Sequence, residues 1–347
     1  MALPYTFSIS NPSKTLPELE GLRAVAALGI VVTHVAFQTD LESAMLTRFD
    51  YFVAVFFALS AFLLARGTPR PGYARRRFAR IAPAYLVCAV VVMLALPSLS
   101  EITLPQVLAN LTLTQIYVSD GLVAGLTQMW SLCVEVAFYL VLPAYLALGT
   151  RGRAVAIVVA VVFGLAWPWL IDAQTTPPSY LPWFAVGLVC AEAERVRSPV
   201  RLRLRWVFPV LALGVAWLAG QEWVGPPGLE HPSAAEFNVR IILGTVFAAL
   251  CVVPFALAPR GEGLLSHPVM RALGRWSYGI FLWHMAVLDI AFPVLGVRVF
   301  TGSVADFAVV LAFTVAVSVA VAYLSYEFVE APAMRRSRRS EQRSLRS

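Results

Sequence analysis

The sequence has little charge for its length. Only 14% of its 347 residues are Asp, Glu, Lys or Arg, against about 25% in typical soluble domains. Hydrophobic residues make up 59% of the chain, and the mean hydropathy is +0.74. This composition excludes a soluble globular domain and is typical of a protein that crosses the membrane several times.

Cysteine and lysine are also scarce, and the sequence shows no signal-peptide pattern. The four cysteines all lie inside apolar segments, so the sequence contains neither a CxxC metal site nor a loop disulfide framework, and we predict no metal site. Lys14 is the only lysine, an arginine preference that suggests a GC-rich bacterial source. The first twenty residues lack a basic-then-apolar pattern. The first apolar segment is therefore expected to remain in the protein as a transmembrane helix.

Ten apolar segments are long enough to cross the roughly 30 Å hydrocarbon core of a membrane as helices. They are predicted at approximately 20–37, 49–66, 82–97, 127–148, 153–171, 180–194, 205–220, 240–258, 275–292 and 304–327. The predicted fold class is therefore all-α, a polytopic membrane protein of about ten transmembrane helices. The outer segment 98–126 is expected to hold an amphipathic or re-entrant helix.

The basic residues are distributed unevenly between the predicted loops. An even number of helices places both termini on one side, and 23 of the 27 Lys and Arg residues fall on that side. Because cytoplasmic loops are enriched in Lys and Arg, we predict an N-in/C-in protein of the bacterial inner membrane. This topology accounts for the formal net charge of +7. Membrane lipid is therefore the expected partner, and no nucleic acid.

The first segment, GLRAVAALGIVVTH, carries two polar residues that are costly in lipid. Arg23 and His34 are eleven residues apart, which is three helical turns plus about 20°. They therefore share one helix face, about 16 Å apart along the axis. Two such residues on one face predict a functional site.

Other polar side chains lie at comparable depth in the predicted segments. Glu135 matches the depth of His34, and Ser60 and His284 lie nearer the middle of the membrane. A histidine beside a carboxylate is the arrangement that tunes a general base. The alternative is that these groups only join helices through structural hydrogen bonds.

The third segment begins with an arginine cluster, RRRFARIAPAY. Arg77 and Arg80 are three residues apart and share a helix face. Guanidinium groups bind phosphate in a bidentate manner, so the cluster suits a multiply charged phosphate ligand. Contact with lipid headgroups is the alternative.

The opening ELEGLRAVAALGIVVTH resembles that of the integral-membrane acyltransferase family 3, typified by bacterial O-antigen O-acetyltransferases. The hallmark of that family is a basic residue, ten residues and a histidine, which Arg23 and His34 match. Further motifs similar to those of the family follow in the same order: FFALSAFLL at 56–64, RRRFARIAPAY, WSLCVEVAFYLVLP at 130–143, LGRWSYGIFLWH at 273–284 and YEFVEAPAMRR at 326–336.

The resemblance implies a membrane O-acyltransferase. Such an enzyme moves an acyl group, expected to be acetyl, from cytoplasmic acyl-CoA to a hydroxyl of a glycan, lipid-linked sugar or other small acceptor. Acyl-CoA would be a co-substrate, and no bound cofactor is expected. We predict that His34 is the general base, that Glu135 orients or charge-balances it through its other ring nitrogen, and that Arg23 binds donor phosphate. The predicted substrate- and donor-binding residues are Arg77, Arg80, Ser60, Ser131, Tyr139 and His284.

The predicted organisation is one acyltransferase-like transmembrane domain at 20–330, with a cytoplasmic segment at 1–19 and a basic cytoplasmic tail at 331–347. One alternative is a transporter or flippase of a lipid-linked sugar, which would also bury charge in the membrane. Many transporters contain internal repeats, and this sequence shows none. A di-haem protein with His34 and His284 as axial ligands is a second alternative, but no two of the four histidines have haem-binding spacing on one helix.

Overall fold

The computed structural model describes residues 16–67, 72–171, 174–196, 202–225 and 232–344. Within these ranges the chain forms helices and no strands. The α-helices are α1 (Pro17–Gln38), α2 (Ala44–Thr47), α3 (Phe52–Ala65), α4 (Tyr73–Ala95), α5 (Leu104–Leu111), α6 (Trp130–Ala147), α7 (Thr150–Leu170), α8 (Leu181–Val196), α9 (Val207–Ala219), α10 (Ala234–Ala256), α11 (Pro268–Leu295), α12 (Val304–Ser325) and α13 (Ala331–Ser344).

Each of the ten predicted apolar segments contains a helix. In the described part of the chain, eight helical stretches are long and apolar enough to cross a membrane: Pro17–Gln38, Ala44–Ala65, Tyr73–Ala95, Thr127–Ala147, Thr150–Leu170, Ala234–Ala256, Pro268–Leu295 and Val304–Arg339. The other two predicted segments form the shorter helices α8 and α9, of 16 and 13 residues. The protein is an all-α polytopic membrane protein.

Helix α1 runs through the middle of the helix bundle, where it packs against α3, α11 and α12. Its small residues Ala24, Ala26 and Ala27 are at most 1% exposed, and small side chains let membrane helices approach closely. At Gly274 of α11, an added Cβ would overlap the backbone carbonyl oxygen of Glu20. The two helices therefore cross almost backbone to backbone, which holds the polar face of α1 against α11.

Helix α7 lies at the edge of the bundle and carries an exposed apolar face. Its four outward valines are each between 58% and 62% exposed: Val155, Val158, Val159 and Val162. A continuous apolar face of this kind marks a membrane or protein contact. The hydrocarbon core of a membrane is the environment that suits this face of α7, in agreement with the assignment as a membrane protein.

The outer segment 98–126 contains a short helix and a compact loop. Helix α5 has only eight residues and begins with a capping box between Thr103 and Gln106. The side-chain amide of Asn110 donates to the carbonyl of Gly121 at 2.8 Å. This bond folds the following loop back onto α5, so the segment forms a short helix and a loop rather than one longer helix.

The C-terminal residues form a packed helix, where the sequence predicted a basic tail at 331–347. Helix α12 continues through a π-helical turn, Tyr326–Glu330, into α13. Helix α13 packs against α4, and Arg75 donates to the carbonyl of Ser337 at 3.2 Å. Residues 345–347, and residues 1–15 of the predicted N-terminal segment, lie outside the described residues.

Candidate active site

Two histidines from different helices contact each other inside the bundle. His34 lies near the C-terminal end of α1, and the fully buried His284 lies in α11. Nε2 of His284 is 3.0 Å from Nδ1 of His34, and the ring centroids are 5.0 Å apart. Both residues were predicted as site residues, but the sequence did not predict this contact.

The hydrogen bonds determine where the proton lies on each ring. Nδ1 of His284 is 2.8 Å from the carbonyl oxygen of Phe281, which can only accept, so Nδ1 carries the proton. In the neutral ring Nε2 of His284 is then an acceptor, and His34 must donate to it from Nδ1. This leaves a lone pair on Nε2 of His34. A neutral imidazole with an available nitrogen is the form that a general base requires.

Glu135 contacts different partners from those the sequence predicted. One carboxylate oxygen, Oε1, accepts hydrogen bonds from the hydroxyls of Ser60 and Tyr139. The predicted bond to the second nitrogen of His34 is replaced by the bond from His34 to His284. The prediction rested on equal depth in the membrane, and depth does not determine which way α6 is rotated. Ser60, Glu135 and Tyr139 form a separate cluster, the carboxylate cluster.

A cavity of about 390 Å³ lies beside the carboxylate cluster, at the end of the bundle that collects most of the arginines. Ser60, Glu135 and Tyr139 form one part of its wall. Five arginines also line it: Arg23, Arg77, Arg80, Arg275 and Arg338. The last two were not predicted. This arginine cavity has the chemistry of a site for a ligand with several phosphates.

The arginines of the cavity differ in how far their charge is neutralised. Arg80 forms an ion pair of 2.9 Å with the buried Glu330, and its guanidinium lies 5.8 Å from the ring centroid of Tyr278. The Nε atoms of Arg23 and Arg77 are buried and have no hydrogen-bond partner in the described ranges. A buried unpaired donor is costly. Arg23 and Arg77 are therefore the residues with most to gain from an anionic ligand.

A second, smaller cavity of about 40 Å³ lies between the arginine cavity and the histidines. The two cavities share Arg23, Glu135 and Tyr278 in their walls. The smaller one, the connecting chamber, is also lined by Ser131 and by Phe281, whose carbonyl is bonded to His284. The histidine rings themselves are not among the described residues that line either cavity.

Seven of the nine predicted site residues line the two cavities, and the other two, His34 and His284, lie behind the wall of the connecting chamber at Phe281. The two cavities and the histidine pair together form the candidate path. The sequence did not predict four further residues of this region: Tyr278, Glu330, Arg275 and Arg338. The first three stand in motifs that carried the family resemblance, whereas Arg338 follows them. Among the described residues, no group of three or more His, Cys, Asp or Glu side chains could hold a metal ion.

Comparison with known proteins shows which family the chain belongs to. The sequence model of a family described as an acyltransferase domain matches residues 16–323. Acyltransferase MdmB of Streptomyces mycarofaciens is 30% identical over 81% of this chain and 81% of its own length. Peptidoglycan O-acetyltransferase OatA of Listeria monocytogenes is 26% identical over 92% of this chain and 56% of its own length, so the chain spans about half of that relative. Nodulation protein 10 of Rhizobium leguminosarum is 25% identical over 82% of both chains.

No solved structure matches the chain in a comparison of structures.

Proposed function

Because the chain belongs to acyltransferase family 3 and is a membrane O-acyltransferase, we propose that it transfers an acyl group from acyl-CoA to a hydroxyl group. The acyl group proposed is acetyl, and the acceptor is a glycan, a lipid-linked sugar or another small hydroxylated molecule. The name of OatA, a peptidoglycan O-acetyltransferase, supports a glycan-type acceptor and an acetyl group. No bound cofactor is part of the proposal.

One observation carries the donor assignment: the arginine cavity adjoins the connecting chamber, which leads toward the histidine pair. Acyl-CoA likewise has a phosphate-bearing end and a long arm of weak polarity. Its phosphates are bound best by guanidinium groups, and its long, weakly polar pantetheine arm ends in the thioester. With the phosphates in the arginine cavity, the arm would follow the chamber past Glu135 and Tyr278 toward His34.

The proposed reaction uses the free nitrogen of His34. Nε2 takes the proton of the acceptor hydroxyl as the acceptor oxygen attacks the thioester carbonyl. The carbon–sulfur bond then breaks, and the thiolate of CoA leaves with the proton from the His34 imidazolium. The products are the acyl ester and free CoA. His284 touches His34 and not the reacting atoms in this scheme, so it is a positioning residue.

Arg23 occupies the point where the two cavities meet, with its Nε lacking a partner in the described part of the chain. We propose that it binds the donor phosphate nearest to the pantetheine arm. The carboxylate cluster lies beside it, and the positive charge of Arg23 compensates the charge of Glu135.

The proposed location is the bacterial inner membrane, with both termini in the cytoplasm. The distribution of Lys and Arg supports this orientation, because 23 of 27 lie on the terminal side. The arginine cavity would then open toward cytoplasmic acyl-CoA, and His34 would lie nearer the opposite surface.

The proposal is tested with protein purified in detergent and acetyl-CoA radiolabelled in the acetyl group, without acceptor. Free CoA and released acetate are measured for the wild type, His34→Ala and His267→Ala. His267 is an exposed histidine at the start of α11, outside the path, and serves as the matched control. Slow hydrolysis of acetyl-CoA is expected in the wild type and in His267→Ala, because water can replace the acceptor.

The same hydrolysis should be lost in His34→Ala, while binding of CoA is retained. Hydrolysis at the wild-type rate in His34→Ala would exclude His34 as the base. If the wild type neither binds nor cleaves acetyl-CoA or longer acyl-CoA, the donor assignment is wrong.

A further inference from the structure

The C-terminal helix α13 forms part of the wall of the arginine cavity. Met334 and Arg338 both line it and, four residues apart, lie on the same face of the helix. The match to the family model ends at residue 323, and the last motif that resembles the family ends at residue 336. Arg338 lies beyond both.

Helix α13 is held in place by contacts that start from α4. Arg80 contacts the sulfur of Met334 at 3.8 Å and forms the ion pair with the buried Glu330. Arg75 donates to the carbonyl of Ser337, whose side chain is buried. These contacts hold the cavity-facing side of α13 in place. Arg338 therefore has a fixed position in the cavity wall and does not lie on a free tail.

Four arginines of the cavity lie at two different depths. Arg23 and Arg77 have buried Nε atoms, whereas Arg275 and Arg338 are exposed and lie at the mouth. The thioester of a bound donor must point toward the histidine pair. The opposite end of the donor, which carries the 3′-phosphate of the adenosine, would then lie at the mouth.

We propose that Arg338, together with Arg275, binds the 3′-phosphate of the acyl-CoA donor. This inference rests on the proposed function, since it assigns one group of the same donor to one part of the same cavity. A phosphate monoester can accept two parallel hydrogen bonds from a guanidinium group. Helix α13 thus completes the donor site, and the enzyme distinguishes CoA from its analogue without the 3′-phosphate.

The test measures the dissociation constants of CoA and dephospho-CoA by titration calorimetry on the full-length purified protein. The variants are Arg338→Gln and Arg336→Gln. Arg336 is an exposed arginine of α13 that, two residues away, lies on the opposite face. We expect Arg338→Gln to weaken CoA binding about tenfold, as loss of one charge-assisted contact does. The affinity for dephospho-CoA should stay unchanged, and Arg336→Gln should bind both ligands like the wild type.

Two results would overturn the assignment while leaving the proposed donor intact. If Arg338→Gln weakens both ligands equally, Arg338 does not face the 3′-phosphate. If Arg336→Gln weakens CoA as much as Arg338→Gln does, α13 contributes only general positive charge. Failure of the wild type to bind CoA at all would instead contradict the proposed function, and this inference with it.

Discussion

Replacing His284 tests the proton arrangement of the histidine pair. In the structure His284 accepts the Nδ1 proton of His34 at 3.0 Å and donates its own to Phe281 at 2.8 Å. Methionine at this position would fill a similar space without an acceptor. The ring of His34 would then lose this acceptor and keep only its hydrogen bond to the backbone of Ile30, which costs about 1–2 kcal/mol. Because about 1.4 kcal/mol corresponds to a factor of ten, the active tautomer should become roughly 5- to 30-fold rarer.

Glutamine provides the matched comparison, because it has nearly the same shape as methionine and can reach the same position. In one orientation its Oε1 accepts from His34 while its amide donates to the Phe281 carbonyl. His284→Gln should therefore keep kcat within about twofold of the wild type, whereas His284→Met should lower kcat about 5- to 30-fold. The assay is release of CoA from acetyl-CoA, with the dissociation constant of CoA and the thermal unfolding temperature measured on the same samples.

A role confined to packing would give a different outcome. In that case His284→Gln and His284→Met would lose activity equally, or stability would fall in parallel with kcat. Wild-type kcat in His284→Met, with an intact fold, would also exclude this role of His284, because it would mean that the tautomer of His34 does not depend on this bond.

Three other predictions concern packing, charge and donor binding. Gly274→Ala should lower the free energy of unfolding by about 1–3 kcal/mol, because the added Cβ would meet the backbone of α1. Gly149→Ala has open space around the added Cβ and is the control. The measurement is thermal unfolding of both variants. Glu330→Leu should lower the free energy of unfolding by about 1–3 kcal/mol, because Arg80, whose side chain is 21% exposed, loses its buried partner. Adding Arg80→Met should restore most of this loss, and equal stability of the single and double variants would contradict the ion pair. Arg77→Gln should raise the KM for acetyl-CoA about tenfold with little change in kcat, and an unchanged KM would indicate that Arg77 contacts lipid.

The hydropathy pattern was sufficient to predict the helical architecture. A chain in lipid must satisfy its backbone hydrogen bonds within each segment, so apolar length alone predicts a helix. Helical periodicity also predicted that Arg23 and His34 share a face. In the structure Arg23 lines both cavities and His34 contacts His284 of α11, the helix that crosses α1 closely at Gly274.

The partner of His34 could not be predicted in the same way. Depth in the membrane is one coordinate, and it favoured Glu135, at the level of His34, over His284, which was placed nearer the middle of the membrane. Which of them reaches His34 depends on how α6 and α11 are rotated and how closely each approaches α1, and these are set by side-chain packing between distant segments. The sequence likewise predicted 331–347 only as a basic tail, and the contacts of Arg75 with Ser337 and of Arg80 with Met334 show that α13 packs against α4.

Helix α13 follows the other described helices of the bundle in the sequence, and this order has a consequence for how the protein is made. Met334 and Arg338 belong to the wall of the arginine cavity, so the ribosome adds this wall after those helices. The cavity is therefore complete only once α13 has been made, and a product that stops before residue 331 lacks this wall.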